Sequence, residues 1–227
     1  MADAAVIFDV DGVLLELTSN EEDVFFDVFE KRYGLRDLSR DWNSYRIRND
    51  ENIVEEILEK NNIPPTDKIS VISDYVTLLQ QRLDGALRSQ TISGAAEILK
   101  TLQSDVALGV ATANFREAAK SRLEQAKLWP LVKPHAFGAD GGGHKREILA
   151  RAIGSLNFPK SRIVYVGDNI NDVDAGLSND VHFIGFSTDP QRLDELRTSG
   201  AVHTSSNHQD TYLYITHLLD LKPQEHN

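Results

Sequence analysis

The spacing of hydrophobic residues changes along the chain and predicts two structural regions. The sequence opens with an apolar run, residues 4–8, that ends in Asp9, Asp11 and Gly12. A short apolar run bounded by a turn signal is typical of a buried strand in a parallel sheet. Residues 17–90 then carry three stretches with apolar residues at helical spacing, each preceded by capping residues. We therefore expect a helical region inserted after the first strand.

From residue 92 onward, strand patterns alternate with helical patterns. Strands are predicted near 106–112, 134–137, 163–167, 181–186 and 201–203, and helices near 94–102, 114–126, 144–153, 173–177, 194–198 and 211–221. Such alternation with short loops is typical of a doubly wound parallel sheet with right-handed crossovers. We predict an α/β fold in which residues 1–16 and 91–227 form the core, residues 17–90 form an all-helical insertion, and residues 222–227 form a tail.

Composition and charge narrow the class of protein. A net charge of −11 argues against binding to nucleic acid or to acidic membranes, because both require a basic surface. The absence of cysteine excludes disulfides, thiolate zinc sites and cysteine nucleophiles. No apolar stretch reaches the roughly 18 residues of a membrane span. Residues 1–15 also lack the pattern of a signal peptide, so a cytoplasmic location is expected.

Acidic residues stand where the first and the fourth predicted strands end. Asp9 and Asp11 follow the first strand and point the same way, while Asp168 follows the strand at 163–167 and Asp172 comes one helical turn later. Open α/β sheets bind ligands at this edge. Four neighbouring carboxylates repel one another unless a cation such as Mg²⁺ neutralises them. The alternatives are a surface turn at residues 9–12 and plain helix capping at 168–172.

Two further segments could hold an anion at the same edge. Thr112 and the backbone of Ala113 stand between a predicted strand and a helix N-terminus, which is a common anion site. A glycine-rich loop, residues 138–143, leads to Lys145 and Arg146 at the start of another helix, where a cation opposes the helix dipole and needs a negative partner. We favour Lys145, with Arg146 as the alternative. Thr112 could instead be a plain N-cap, and Lys145 a solvated lysine.

Other catalytic classes find less support. The seven histidines show no metal-binding spacing, so a zinc enzyme is disfavoured. No serine lies in a Gly-x-Ser-x-Gly motif, so a serine hydrolase is disfavoured as well.

Taken in order, these motifs resemble those of the haloacid dehalogenase superfamily: Asp9-Val10-Asp11-Gly12-Val13, then Thr112, then Lys145, then Gly167-Asp168-x-x-x-Asp172. The resemblance covers residues 4–220 and implies a Rossmann-like core. The helical insertion is similar to the cap domain of phosphoglycolate-phosphatase-like members. Val13 stands where many members have threonine, and the glycine-rich loop replaces the usual lysine-proline context.

The resemblance also implies a role for each motif residue. Asp9 would be the nucleophile that accepts the phosphoryl group, and Asp11 the general acid and then the general base. Thr112, Ala113 and Lys145 would bind the phosphate oxygens.

A Mg²⁺ ion is implied as the cofactor. Asp168 would bind it together with Asp9 and the backbone carbonyl of Asp11, and Asp172 would support that set.

The resemblance implies a Mg²⁺-dependent phosphatase that acts on a small phosphorylated metabolite such as phosphoglycolate. The alternatives are a phosphomutase acting on a sugar phosphate, similar to β-phosphoglucomutase, and a binding protein that kept the fold without the reaction. Asp11 disfavours a dehalogenase, because dehalogenases of the superfamily have a non-acidic residue there. The phosphonate-cleaving relatives need a cap lysine, and Lys31, Lys60 and Lys68 are expected in solvated positions. The oligomeric state is left open.

Three residues before the second predicted helix are candidates for binding a second anionic group of the substrate. These are Tyr45, Arg46 and Arg48. The alternative is a solvated loop, the usual environment of arginine.

Overall fold

Six parallel strands form one sheet in the computed structural model, which describes residues 2–221. The strands are β1 (Ala5–Phe8), β2 (Ala107–Ala111), β3 (His135–Phe137), β4 (Ile163–Gly167), β5 (His182–Phe186) and β6 (His203–Ser205). Their order is β3-β2-β1-β4-β5-β6, and every neighbouring pair is parallel. The predicted doubly wound sheet is confirmed. The direction of winding reverses between β1 and β4, and such sheets bind ligands beside that point.

Ten α-helices, besides three short 3₁₀ helices, accompany the sheet within residues 2–221. They are α1 (Ser19–Tyr33), α2 (Asp50–Lys60), α3 (Lys68–Asp84), α4 (Ala95–Leu102), α5 (Arg116–Gln125), α6 (Trp129–Val132), α7 (Lys145–Leu156), α8 (Ile170–Ser178), α9 (Pro190–Thr198) and α10 (His208–Leu218). None of them combines the length and the apolar character of a membrane span. The tail predicted at 222–227 lies outside the described residues.

Several helix boundaries differ from the prediction. Helices α8, α9 and α10 each begin three or four residues early, because the side chains of Asn169, Asp189 and Asn207 cap their first turns. The hydrophobic repeat alone places these starts near its first apolar residue. Helix α6 was missed because a single turn is too short to show a period. The last strand lies at His203–Ser205, two residues beyond its predicted position.

Helices pack on both faces of the sheet because side chains alternate along each strand. On one face, Val6 and Phe8 of β1 lie in a hydrophobic cluster with residues of α4, α5 and α10. On the other face, Ala5 and Ile7 lie in a cluster with residues of α7, α8 and α9. All four β1 side chains are buried, which explains why the strand is a continuous apolar run.

The helical insertion has a hydrophobic cluster of its own. Helices α1, α2 and α3 supply most of it, including Phe25, Ile53 and Leu79, and no described residue between 17 and 90 belongs to a strand. Two backbone hydrogen bonds join the segments that lead in and out of it: the N–H of Glu16 donates to the carbonyl of Gln90, and that of Ile92 donates to Leu14. The domain boundaries at residues 16/17 and 90/91 stay a prediction.

Candidate active site

Asp9 stands at the carboxyl end of β1, on the floor of a cavity between the sheet and the helical insertion. Its N–H donates to the carbonyl of Val166 at 2.8 Å, which extends the pairing of β1 with β4. Its Oδ1 accepts a hydrogen bond from the N–H of Val10 at 2.7 Å, and the residue is 6% exposed. The backbone turns away at Gly12, whose φ of +73° is one that glycine adopts without strain.

Asp168 and Asp172 follow β4 and face the same cavity. Asp172 is in the first turn of α8, where its Oδ2 accepts the N–H groups of Asp168 and Asn169 at 3.2 and 3.0 Å. Its Oδ1 accepts the hydroxyl of Tyr165 at 2.5 Å. A methyl group on Gly167 would lie 2.3 Å from Cβ of Asp172, so only glycine allows this close approach. Asp172 thus serves as both a helix cap and part of the acidic cluster.

Lys145 is the cation that reaches these acids. Its Nζ lies 2.7 Å from Oδ2 of Asp9 and 3.1 Å from Oδ1 of Asp172. Burial opposes the charge of Lys145, but Asp172 and Asp9 outweigh it and raise the pKa of Lys145. Arg146, the sequence alternative, is half exposed and contacts Glu147 at 3.3 Å instead. The first residue of α7 therefore points inward and the second points outward.

One lysine does not balance the charge of the cluster. Burial raises the pKa of Asp9 well above its usual value, and Asp172 and Asp168 raise it further against the pull of Lys145. Burial and then Asp172 raise the pKa of Asp168 to about 7. Both raised pKa values mean that the surroundings of Asp9 and Asp168 disfavour further negative charge.

The acidic cluster fits a divalent cation of the Mg²⁺ type. Asp9, Asp168 and Asp172 each offer a carboxylate oxygen, and these oxygens all lie within 4.8 Å of one another. An all-oxygen donor set suits a hard cation, and the raised pKa values show that further positive charge would be stabilising. The side chain of Asp11 is not part of this cluster, since it faces Arg122 at 2.7 Å. Only the backbone carbonyl of Asp11 remains a candidate ligand.

Thr112 and Ala113 line the cavity beside Asp9, as predicted from their place after β2. The N–H of Thr112 donates to the carbonyl of Phe137 at 3.0 Å, which continues the sheet by one residue. The Oγ1 of Thr112 accepts the N–H of Asn114 at 3.2 Å, an N-cap-like contact that leaves the hydroxyl proton available to another acceptor. Helix α5 itself is capped at Phe115, so Thr112 is not its N-cap. That Thr112 binds an anion stays a prediction.

The cavity has a volume of about 310 Å³ and is closed on one side by the helical insertion. From the insertion it is lined by apolar and aromatic side chains, by acids, and by two other polar residues: Leu17, Phe25, Trp42, Tyr75, Leu79, Glu21, Glu22, Asp50, Asn49 and Arg48.

Of the three candidate residues before α2, only Arg48 lines the cavity. Tyr45 is buried in the cluster of the insertion and donates its hydroxyl to the carbonyl of Ser39 at 2.7 Å. Arg46 forms ion pairs with Glu59 and Glu56 of α2, neither of which lines the cavity. The expectation that Tyr45 and Arg46 contact the substrate is therefore not supported by their positions, because both already have partners away from the cavity.

Two charged groups of the site were not predicted. Arg122 of α5 is 3% exposed and contacts Asp11, and Asp50 is 3% exposed at the start of α2. Burial raises the pKa of Asp50 to about 7, although the N–H of Phe115 donates to its Oδ2 at 2.7 Å. A sequence signal existed for Arg122, since it shares the apolar face of α5 with Ala118 and Ala119. Asp50 looked like an ordinary first-turn acid.

Comparison with known proteins agrees with this fold. Residues 6–186 match the family model described as haloacid dehalogenase-like hydrolase. The chain therefore belongs to the haloacid dehalogenase-like hydrolase family, whose known members include hydrolases and phosphatases. No curated protein matched the chain.

Several solved structures share the fold over nearly the whole chain. A predicted phosphatase from Clostridium acetobutylicum is 20% identical, with a TM-score of 0.69 and coverage of 96% of this chain and 100% of that one. A β-phosphoglucomutase from Clostridium difficile is 17% identical, with a TM-score of 0.72 and coverage of 97% and 98%. CbbY from Rhodobacter sphaeroides, solved in complex with phosphate, is 17% identical, with a TM-score of 0.72 and coverage of 91% and 95%. At these identities the likeness shows the fold alone.

Proposed function

We propose that this protein is a Mg²⁺-dependent phosphatase that hydrolyses a small phosphorylated metabolite through an aspartyl-phosphate on Asp9. The observation that carries the proposal is the convergence of Asp9 with Asp168, Asp172 and Lys145 at the floor of one cavity. Phosphoryl transfer depends mainly on positioning and on neutralising charge, and this arrangement offers both. CbbY, which shares the fold, was solved in complex with phosphate.

In the first step, a carboxylate oxygen of Asp9 attacks phosphorus and the bond between phosphorus and the ester oxygen breaks. Asp11 donates a proton to the departing oxygen, so the product leaves as an alcohol. In the second step, Asp11 accepts a proton from water as the water oxygen attacks the phosphorus. The bond between Asp9 and phosphorus breaks, and inorganic phosphate leaves.

The remaining residues bind and orient. The hydroxyl of Thr112, the backbone of Ala113 and the ammonium of Lys145 would hold the phosphate oxygens. Asp9, Asp168 and Asp172 would hold Mg²⁺ together with the carbonyl of Asp11. When bound, Mg²⁺ supplies the positive charge that lets an anionic nucleophile and an anionic phosphate approach each other.

The cavity limits the substrate to a small leaving group, because about 310 Å³ is near the lower end of the range for ligand pockets. Arg48 lines the cavity and its charge lowers the pKa of Asp168, so it could bind a carboxylate or a phosphate of the substrate. This supports a phosphoglycolate-like ester as the first compound to test.

A phosphomutase acting on a sugar phosphate is the second candidate. The observation that favours it is that the insertion covers the site. Phe25 and Tyr75 of the insertion line the cavity, and each is less than 10% exposed to solvent. Such cover would exclude water from an aspartyl-phosphate.

The test is phosphate release by purified protein with MgCl₂ from a panel of esters that includes phosphoglycolate and sugar phosphates. We expect release by the wild type, and none by Asp9→Asn or in EDTA. Conversion of a sugar phosphate into its isomer, followed by NMR, would instead identify a mutase. If the wild type yields neither phosphate nor an isomer from any ester, the enzymatic proposal is wrong and a binding role takes its place.

A further inference from the structure

Arg122 is a buried arginine that the proposed reaction does not use directly. It lies in the last turn of α5 on the face that carries Ala118 and Ala119, and its side chain is 4% exposed. A buried guanidinium is unfavourable unless it is paired and its N–H groups are satisfied. The burial of Arg122 must therefore be compensated by its ion pairs and hydrogen bonds.

Each nitrogen of the guanidinium has a partner. Nε donates to Oε1 of Glu21 at 2.9 Å, and Nη2 donates to the carbonyl of Glu16 at 3.2 Å. Nη1 donates to Oδ1 of Asn114 at 3.2 Å and also lies 2.7 Å from Oδ1 of Asp11. Because Glu21, the carbonyl of Glu16 and Asn114 all bind the guanidinium, its position is fixed, and Asp11 forms an ion pair with a fixed charge.

Asp11 depends on this contact. Its Oδ1 is buried and has no hydrogen-bond donor within the described part of the chain, and the 2.7 Å contact with Arg122 is an ion pair without hydrogen-bond alignment. The side chain as a whole is 20% exposed and lines the cavity. The charge of Arg122 is thus the main restraint on the orientation of a carboxyl group that must reach a leaving oxygen.

Glu21 brings the helical insertion into the same network. It belongs to α1 and its Oε1 accepts the hydroxyl of Ser89 at 2.8 Å as well as Nε of Arg122. Glu16 and Ser89 lie in the two segments that connect the insertion to the core. Of the contacts of Arg122, the one with Glu21 therefore depends on the position of the insertion seen here.

We infer that Arg122 is a positioning residue that orients Asp11 for proton donation to the leaving group, and that Glu21 anchors Arg122 from the insertion. The inference rests on the proposed phosphatase reaction. A purely structural role would instead weaken the enzyme equally toward every substrate. Only a role in proton donation makes the loss depend on the leaving group, because a stable anion departs without a proton.

The test compares kcat/KM for two esters in the presence of MgCl₂. One is acetyl phosphate, whose acetate leaves without a proton, and the other is the best alkyl phosphate from the substrate panel. For both, kcat/KM reports the step that forms the aspartyl-phosphate. In Arg122→Gln we expect a loss of about 100-fold with the alkyl ester and about fivefold or less with acetyl phosphate, within the range of general acid catalysis. KM for the alkyl ester should change far less than kcat.

Two further variants keep the test decisive if Arg122→Gln folds poorly. Glu21→Gln, which keeps the side-chain shape, should show the same selective loss, with kcat/KM for the alkyl ester lowered about tenfold. Arg122→Lys should recover part of the activity toward the alkyl ester. Arg162→Gln is the matched control: this arginine donates to the carbonyl of Leu219 at 2.6 Å, beyond the opposite end of β4, and both esters should react at the wild-type rate.

The outcomes separate the inference from the proposed function. A wild type that releases phosphate from neither ester would contradict the phosphatase itself. An active wild type whose Arg122→Gln and Glu21→Gln variants lose equal activity toward both esters would overturn the positioning role alone.

Discussion

Asp50→Asn should stabilise this protein at neutral pH, although it removes a charged residue from the cavity. Asp50 is 3% exposed, and burial raises the pKa of its carboxyl group from 3.8 to about 7. The N–H of Phe115 donates to its Oδ2 at 2.7 Å, which only partly opposes this rise. An asparagine can accept the same hydrogen bond through its side-chain carbonyl and carries no charge.

The sign follows from proton binding in the two states. Between pH 3.8 and about 7 the folded chain keeps the proton on Asp50 while the unfolded chain releases it. Because the unfolded state binds fewer protons there, stability falls as the pH rises through this window and is constant above it. A difference of about three pH units at about 1.4 kcal/mol each gives about 4 kcal/mol. Asp50→Asn removes this cost, so its advantage should be about 2 kcal/mol at pH 5 and about 4 kcal/mol at pH 8.

Urea unfolding in EDTA at pH 5, 6, 7 and 8 measures the difference in unfolding free energy between Asp50→Asn and the wild type. EDTA is required because a bound cation would change the field at the carboxyl group. Asp23→Asn is the control: Asp23 is on α1 with its side chain 51% exposed, and it should change stability by no more than about 1 kcal/mol at any pH. A destabilised Asp50→Asn at pH 8, or an advantage that does not change with pH, would refute the reasoning.

Three other substitutions test the site. Lys145→Met should lower the unfolding free energy in EDTA by about 3–5 kcal/mol, since it leaves buried carboxylates without their cation, and Mg²⁺ should raise its Tm more than that of the wild type. Gly12→Ala should lose at least about 1–3 kcal/mol of stability and nearly all turnover, because its Cβ would lie 2.2 Å from Oδ2 of Asp168 at a positive φ. Arg48→Ala should reduce kcat/KM for an anionic ester about tenfold or more, as expected for one charged hydrogen bond, while Arg46→Ala should change it less than about twofold.

Each of these has an outcome that would contradict it. Lys145→Met melting at the wild-type temperature in EDTA would mean that the lysine does not neutralise the cluster. Full activity in Gly12→Ala would show that the turn can move away from Asp168. Equal effects of Arg48→Ala and Arg46→Ala, measured with the same ester, would show that lining the cavity does not make Arg48 a substrate-binding residue.

Much of the fold could be predicted because its signals are local. The apolar runs of β1 and β4 are buried on both faces, so they stand out in the sequence without knowledge of their neighbours. Because all strands of a parallel sheet run the same way, the residues that follow each strand lie at the same edge of the sheet. For that reason Asp9 and Asp168 could be placed together from the sequence, although they are 159 positions apart.

Other parts of the site depend on contacts that no local pattern encodes. The charged partners of Arg122 are Asp11 and Glu21, more than 100 positions away in the sequence. The period of α5 places Arg122 on the buried face but does not say which acid meets it there. In the same way, Tyr45, Arg46 and Arg48 share a segment without a regular period, and the path of that loop decides that only Arg48 faces the cavity.

By itself, the sequence determined the order of strands and helices along the chain, apart from the one-turn helix α6, and the edge at which the acids collect. Both follow from the spacing of apolar residues and the geometry of parallel strands. Only the tertiary structure decided between Lys145 and Arg146, because adjacent helical residues point about 100° apart and packing selects which one turns inward. It alone decided that Asp11 rests against Arg122, since a buried charge takes its partner from whatever the fold brings near it.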